Sequence, residues 1–294
     1  MELRQLRYLL TIAETGNFTR AAEQLYVTQS ALSQQIQSLE QEVGAVLLDR
    51  SRRGARLTTA GEILSRHAER IMLEIDQASI ALRELNGLQR GELRLGVVQT
   101  VNSYFIPTLI TEFAARYPDI RLQVEELSAD DIESGLENGD LQVGISFVPP
   151  TLPSIRYADL FTEELTLVIR RDHPLAKAHS VPVAALDGMT RIMLAKTFCT
   201  RRLWEESARL VSAVPRIAME INTVSGILSV VEKTGIPTVL PGSVVRGNAA
   251  LIGVPLCDPV PSRKVGVIWN AGSYLCAASR AFIEIAGQIS TRGE

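Results

Sequence analysis

Residues 17–44 read NFTRAAEQLYVTQSALSQQIQSLEQEVG, and the fold of the N-terminal part of the chain is decided here. Asn17 is suited to cap a short helix, Phe18 to Leu25, because its side-chain oxygen can accept from the free N–H groups of a first turn. Tyr26-Val27-Thr28 follow as a turn, and Thr28 can cap a third helix from Gln29 to about Glu42, ending before Gly44. Within that helix Leu32, Ile36 and Leu39 recur at four and three residues, which is one buried stripe. The opposite face carries Gln29, Ser30, Ser33, Gln34 and Gln37. Upstream, Leu3, Leu6, Leu9, Leu10 and Ala13 mark a first helix that stops at Gly16. Two helices joined by a three- or four-residue turn, the second presenting uncharged polar side chains, form the helix-turn-helix pattern. Glutamine pairs bidentately with adenine and serine reads several base edges, so this face suits a major groove; an ordinary exposed amide-rich face is the alternative.

Placement rather than bulk charge points to nucleic acid. The chain of 294 residues carries 30 basic and 33 acidic residues. Up to Arg90 the basic residues are all arginines and the acidic ones balance them. Four of those arginines, Arg50, Arg52, Arg53 and Arg56, fall within seven residues. Val46-Leu47-Leu48 and Leu57 flank the turn Ser51-Arg52-Arg53-Gly54, which reads as a β-hairpin wing lifting arginines toward a phosphate backbone or a narrow minor groove. A solvated loop is the competing reading.

Next, Thr58 or Thr59 can cap a long helix, with Glu62 placed to complete a capping box on Thr59. It runs without proline to about Leu88, roughly 43 Å at 1.5 Å per residue. Leu64, Ala68, Ile71, Ile75, Ala78, Leu82 and Leu85 alternate at four and three residues, an unbroken heptad seam. Such a seam packs lengthwise on another helix, here a second copy of the chain; packing on the chain's own second domain is the alternative. Gly87 and Gly91 mark a linker.

Beyond Gly91 short strands alternate with helices. Strands are expected over Leu93–Val97, Ile120–Leu127 and Leu141–Phe147, with helices from about Ser103 to Tyr117 and Ala129 to Asn138; this βαβαβ order implies a parallel sheet. A second set has strands Glu164–Arg171, Arg191–Lys196, Arg216–Ile221 and Ile236–Leu240, with helices Thr200–Val211 and Val224–Thr234. Strand Arg263–Asn270 and a helix over about Leu275–Ile289 end it. Two α/β lobes joined by crossing strands make a ligand cleft. The candidate ligand residues are Thr100, Asn102 and Ser103 after the first strand, Phe147 ending the third, and Phe198, Thr200 and Arg201 at the matching turn. Ser128 and Thr223 stand at two further turns. Hydroxyls and helix N-termini suit a small anion, and Arg201 with Arg202 favours a carboxylate or inorganic anion. Each hydroxyl equally serves as a plain cap, and the arginines can instead pair with Glu205 and Glu206. Cys199 reads as a small packed residue in preference to a redox sensor.

Several classes are excluded or disfavoured. Cys199, Cys257 and Cys276 are widely spaced with only three histidines beside them, so neither a disulfide framework nor a metal site is expected. The N-terminus has no signal-peptide pattern and no apolar run reaches the ~20 residues of a membrane span, so a cytoplasmic protein is expected. G-x-S-x-G, P-loop, G-x-G-x-x-G and H-E-x-x-H motifs are missing, so no enzyme and no cofactor are expected.

With these pieces in place, residues 2–61, ELRQLRYLLTIAETGNFTRAAEQLYVTQSALSQQIQSLEQEVGAVLLDRSRRGARLTTAG, resemble the LysR-type transcriptional regulators. Phe18, Ala21-Ala22, Leu25, Gln29-Ser30, Leu32-Ser33, Ile36, Leu39-Glu40, Leu47-Leu48, Arg50 and Thr58-Ala60-Gly61 carry the match, and the similarity extends over the full length. The segment SYFIP, Ser103 to Pro107, looks somewhat like the cyanate-operon regulator subgroup. The resemblance implies an α/β protein with an all-α winged helix-turn-helix head (1–59), a dimerising linker helix (60–90) and a two-lobed effector domain (91–294) similar to periplasmic solute-binding proteins. The lobes would be about 91–161 with 267–294, and 162–266. It implies Thr28, Gln29, Ser30, Ser33, Gln34 and Gln37 with Arg52 and Arg53 on double-stranded promoter DNA. It further implies a small effector at Thr100, Ser103, Ser128, Phe198, Thr200 and Thr223, a tetramer built from two dimers, and contact with RNA polymerase where the regulator activates. Many relatives have arginine where Gln34 stands, which shifts this head toward amide–adenine pairing and away from phosphate attraction.

Overall fold

The computed structural model describes residues 1–49, 54–85, 91–214 and 216–292, and of helix residues 76, 77, 80 and 83–85 the backbone alone. The chain divides into two compact units, 1–87 and 88–294.

The first unit begins with α1 (Leu3–Thr15), closed by Gly16 in the left-handed conformation. Next is α2 (Phe18–Gln24), with the Asn17 side chain accepting from Thr19 and Arg20 N–H as expected. Its C-terminus is a Schellman motif: Tyr26 N–H reaches the Glu23 carbonyl, and Val27 N–H the Ala22 carbonyl at 3.0 Å. The left-handed position, normally a glycine, is Tyr26 at φ 55°. In α3 (Gln29–Val43) the Thr28 hydroxyl accepts from Ala31 N–H and Gly44 closes the far end. Leu32, Ile36 and Leu39 are buried with Leu9, Ile12, Ala21 and Leu47 in one core.

Two short antiparallel strands, β1 (Leu48–Asp49) and β2 (Arg56–Leu57), form the base of the hairpin. Glu40 near the end of α3 anchors it, accepting from Leu47 and Leu48 N–H at 2.9 and 3.2 Å. The hairpin tip, with Arg50, Arg52 and Arg53, lies outside the described residues. The long helix α4 spans Thr59–Leu85. Its cap is Thr58, one of the two expected, whose hydroxyl accepts from Gly61 N–H at 3.1 Å; the third position is then a glycine, so the capping box expected of Thr59 with Glu62 does not form. The first position of the heptad seam, Leu64, packs on the head's own core instead of awaiting a partner, and Ala68 is buried as well. Farther along, Ala78 is exposed and Leu82 is 62% exposed.

In the second unit the expected βαβαβ set is present. It comprises β3 (Gly91–Val98), a single turn α5 (Gln99–Asn102), α6 (Ile106–Arg116), β4 (Ile120–Leu127), α7 (Ala129–Asn138) and β5 (Val143–Val148). β4, β3 and β5 are parallel. The helix expected over about 103–117 is present but begins only at Ile106, with Pro107 in its first turn, and the short turn α5 precedes it. The largest departure is β6, which runs 16 residues, Ile155–Arg170, where the sequence predicted a strand only from Glu164. Prolines 149, 150 and 153 and the charged run after Ile155 mask its first half. That connection is tied down by buried Glu133, which accepts from Thr151 and Leu152 N–H.

The second lobe follows with β7 (Val181–Pro182), β8 (Thr190–Leu194), α8 (Cys199–Leu210), β9 (Arg216–Ile221), α9 (Val224–Thr234), β10 (Thr238–Pro241) and β11 (Leu251–Cys257). β7 and β11 were not expected. Finally β12 (Ser262–Asn270) and α10 (Ala277–Arg292) return to the first lobe. Among the described residues the strands form one mixed sheet, β4-β3-β5-β12-β6-β10-β8-β9, with β11 on β6 and β7 on β11. β6 is the shared strand. Its first half pairs antiparallel with β12 and its second half with β10 and β11. The sheet is therefore parallel only within each lobe, and the lobes are joined through antiparallel crossing strands. The return crossing comes at Pro261, whose carbonyl accepts from Leu165 N–H at 2.8 Å.

Gly61 packs so closely that a Cβ there would lie 2.1 Å from the Leu47 carbonyl oxygen, whereas at Gly287 in α10 a Cβ meets open space. Gly61→Ala is therefore expected to destabilise the head by about 1–3 kcal/mol. Gly287→Ala should stabilise by about 0.5–1 kcal/mol, since alanine loses less entropy in a helix. Urea unfolding of the two variants against the parent checks both signs.

Candidate functional site

Two surfaces carry chemistry, one in each unit. On the head, Thr28, Gln29, Ser30, Gln34 and Gln37 are exposed along α3, as expected. Ser33 is half-buried, because its position also touches the buried stripe. Thr28 spends its hydroxyl on the cap, so its contribution is positional. Tyr26 was read only as a turn residue; it stands 96% exposed beside the start of α3, on the backbone strain of its left-handed position. Arg56 on β2 is exposed next to the hairpin tip. The resulting ridge is uncharged, with arginine at its flank.

In the second unit a cavity of about 210 Å³ lies at the C-terminal ends of the strands. The first lobe lines it with Gln99, Thr100, Ser128, Asp131 and Phe147, the second with Thr197, Phe198, Cys199 and Thr200. Of the nine expected ligand residues, Thr100, Ser128, Phe147, Phe198 and Thr200 meet here. The other four do not line it, each for a visible reason. Asn102 donates to Glu126 at 2.9 Å, outside the cavity. Exposed Ser103 donates to the Thr100 carbonyl at 2.7 Å. Exposed Thr223 caps α9 through Gly226 N–H. Arg201 points into the second lobe, where Glu205 takes its Nε at 2.7 Å and the Leu194 carbonyl its Nη1 at 2.9 Å.

The electrostatics follow from those placements. Arg202 donates to the Cys199 sulfur at 2.8 Å and lies 3.9 Å from Asp130, so it bridges the two lobes beside the cavity. Cys199, expected as a packed residue, packs half-buried against the first lobe's core and also forms part of the cavity wall. Among the described residues no arginine lines the cavity, and Asp131 is acidic; the cationic pull expected from Arg201 is missing. What remains for an anion is the N-terminus of α8, where Phe198 provides no side-chain cap.

Behind Thr100 lies a network with no local signature in the sequence. Arg263 donates to the Thr100 hydroxyl at 3.0 Å and pairs with buried Glu163 at 2.5 Å, its guanidinium 3.7 Å from the centre of the Phe147 ring. Glu163 also accepts from the Tyr104 phenol at 2.8 Å. Burial first, then Glu163, pushes the Tyr104 ionisation far up, so the phenol stays a donor. Gln99 and Asp131 were within reach of sequence reasoning, adjacent to Thr100 and three residues after Ser128. The Glu163–Arg263 pair was not.

Residues 3–62 match the model for bacterial regulatory helix-turn-helix proteins of the lysR family, and residues 86–289 match the LysR substrate binding domain. The chain belongs to the LysR family. It is a transcriptional regulator with a DNA-binding head and an effector-binding domain. The chain is 32% identical to the Hca operon transcriptional activator HcaR of Escherichia coli, covering 97% of each. Among solved structures, full-length OxyR C199D from Pseudomonas aeruginosa superposes with a TM-score of 0.74 at 28% identity, covering 99% of this chain and 95% of that one. The regulatory domain of Synechocystis CcmR, in complex with 2-PG, aligns with 68% of this chain and 98% of its own at TM-score 0.62 and 25% identity. Among the described residues no helix is long and apolar enough to cross a membrane.

Arg263→Met leaves Glu163 buried without its cation and is expected to cost about 3–5 kcal/mol. The double variant Glu163→Leu with Arg263→Met should recover most of that loss, because no charge is then left stranded. Equal destabilisation of single and double variants in urea unfolding would remove the pair from its place behind the cavity.

Proposed function

We propose that this protein reads promoter DNA as a homo-oligomer and changes its reading when a small effector enters the cavity between the lobes of residues 91–294. The observation that carries this is the exposed, uncharged ridge Gln29, Ser30, Gln34 and Gln37 on a helix whose other side buries Leu32, Ile36 and Leu39. A solvated helix face ordinarily carries charge, while amides and hydroxyls are the groups that match base edges. Ser33 completes the ridge, and Arg52 and Arg53 reach phosphate or minor groove from the wing. Residues 1–59 form the head and 60–90 the linker.

The heptad spacing assigns the pairing seam of α4 to Ile71, Ile75, Ala78, Leu82 and Leu85, against a second copy, and two such dimers make a tetramer. The setting is cytoplasmic, RNA polymerase is the further partner where the regulator activates, and the chain turns over no substrate.

The effector is a small molecule that presents an anionic oxygen to the open N-terminus of α8 and a polar edge to Thr100, Ser128 and Thr200. A cavity near 210 Å³ is below the ~300–1,000 Å³ of drug-sized sites, which limits the guest to a compact metabolite. The 2-PG held by the CcmR domain is of this kind. For the effector to act it must bind two lobe arrangements unequally, otherwise no equilibrium moves.

Two measurements test the reading. In fluorescence anisotropy with the duplex upstream of its own gene, Gln29→Ala should cost about 1–3 kcal/mol and change base preference, while Arg53→Ala should weaken every duplex alike and lower the salt slope by about 1. Binding unchanged in both variants contradicts the DNA interface. In a thermal-shift series of small carboxylates and phosphates, at least one should raise the melting temperature of the parent and leave Thr200→Val unmoved. No response to any of them, or equal shifts in parent and variant, contradicts the effector site.

A further inference from the structure

The second lobe buries more hydrogen-bond donors than it has acceptors for. Arg191, on β8, is 0% exposed, and its Nε, Nη1 and Nη2 all lack a partner. Its guanidinium carbon lies 4.7 Å from the ring centre of Trp204 on α8. Trp204 is equally buried, and its Nε1 also lacks a partner. One turn away on the same helix, buried Arg201 leaves Nη2 unpaired, although its other nitrogens reach Glu205, Glu220 and the Leu194 carbonyl. All three side chains lie between α8 and the sheet, and Trp204 belongs to an apolar core with Met193, Leu165 and Ala208. None of them lines the effector cavity.

We propose that the second lobe holds a small inorganic monovalent anion, of halide size, buried beneath α8 and liganded by the Arg191 guanidinium, the Arg201 Nη2 and the Trp204 indole N–H. Three considerations converge on it. First, an arginine does not give up its proton in a protein, so these donors cannot be silenced by neutralisation. Second, the nearby carboxylates are otherwise engaged. Asp187, exposed, accepts from Val214 N–H at 2.8 Å, and Glu205 and Glu220 meet Arg201 from its solvent side with side chains 32% and 45% exposed. Third, a buried water brings its own two protons, which need acceptors in turn, whereas a spherical anion only accepts.

The backbone is adapted to the same place. The β8–β9 ladder pairs Arg191 with Ile217 but Ile192 with Met219, so β9 carries one extra residue, Ala218, beside the buried Arg191. Bulges of this kind re-aim a side chain and recur beside binding sites. Burial, and Arg201 in the same direction, lower Arg191 to about 10 against the opposing pull of Asp187. An anion held by these donors opposes both effects through its own charge.

The test uses the full-length protein carrying Trp269→Phe, which leaves Trp204 as its single tryptophan. Iodide is added at constant ionic strength, with gluconate, too large to enter, as the balancing anion. The expected result is a saturable loss of Trp204 emission that chloride reverses competitively. Arg191→Met in the same background should weaken the apparent iodide Kd by about tenfold or more. A linear quench without chloride competition, or none at all, overturns the proposal on the parent background alone, and leaves water as the acceptor. A saturable quench that survives Arg191→Met unchanged overturns the assignment of the site.

Discussion

The ion pair of Glu163 with Arg263 is the constraint on which the effector domain depends. The two residues are direct cross-strand neighbours on β6 and β12, at the point where both strands pass between the lobes. The pair is nearly dry, so its hydrogen bonds are strong and its partners cannot be separated cheaply. The same guanidinium donates to Thr100 and lies over Phe147, both of which line the cavity. Whatever occupies the cavity therefore touches, at one remove, the strands that set the angle between the lobes. The ion pair thus connects the wall of the cavity to the two strands that join the lobes.

The head solves a different problem by local means. Its recognition helix is fixed at both ends by its own sequence, Thr28 at the start and Gly44 at the end, and docked by three leucine and isoleucine side chains. Glu40 then couples the far end of that helix to the wing through Leu47 and Leu48. The base of the hairpin is thereby fixed to the helix that carries the ridge. Tyr26, holding a left-handed turn that glycine would occupy at no cost, is retained despite its strain, and its exposure puts an aromatic hydroxyl beside the helix start.

How much of this was legible depended on the range of the interactions involved. Asn17, Thr28, Gly16 and Gly44 act within four residues of themselves, and each did what its chemistry predicts. So did the cap at Ser128. The first half of β6 was invisible because its pairing partner, β12, lies about a hundred residues away, while its own residues alternate charge and apolar without a clean period. For Arg201 the sequence offered two local partners, the cavity and Glu205 four residues on; Glu205 and the Leu194 carbonyl take it. Similarly, nothing in the sequence marks Arg263 as the partner of Glu163. The heptad spacing of α4 does not say which neighbour it meets, and its first residue, Leu64, packs on the head's own core.

The central claim is that two copies of the α3 ridge enter one duplex. Hydroxyl-radical footprinting of the DNA upstream of the gene, with full-length protein at low ionic strength, tests it most directly. The account predicts two protected stretches of the sugar-phosphate backbone on one face of the helix, about 10–10.5 base pairs apart or a whole multiple of that. Uniform protection, or a single isolated patch, would contradict it.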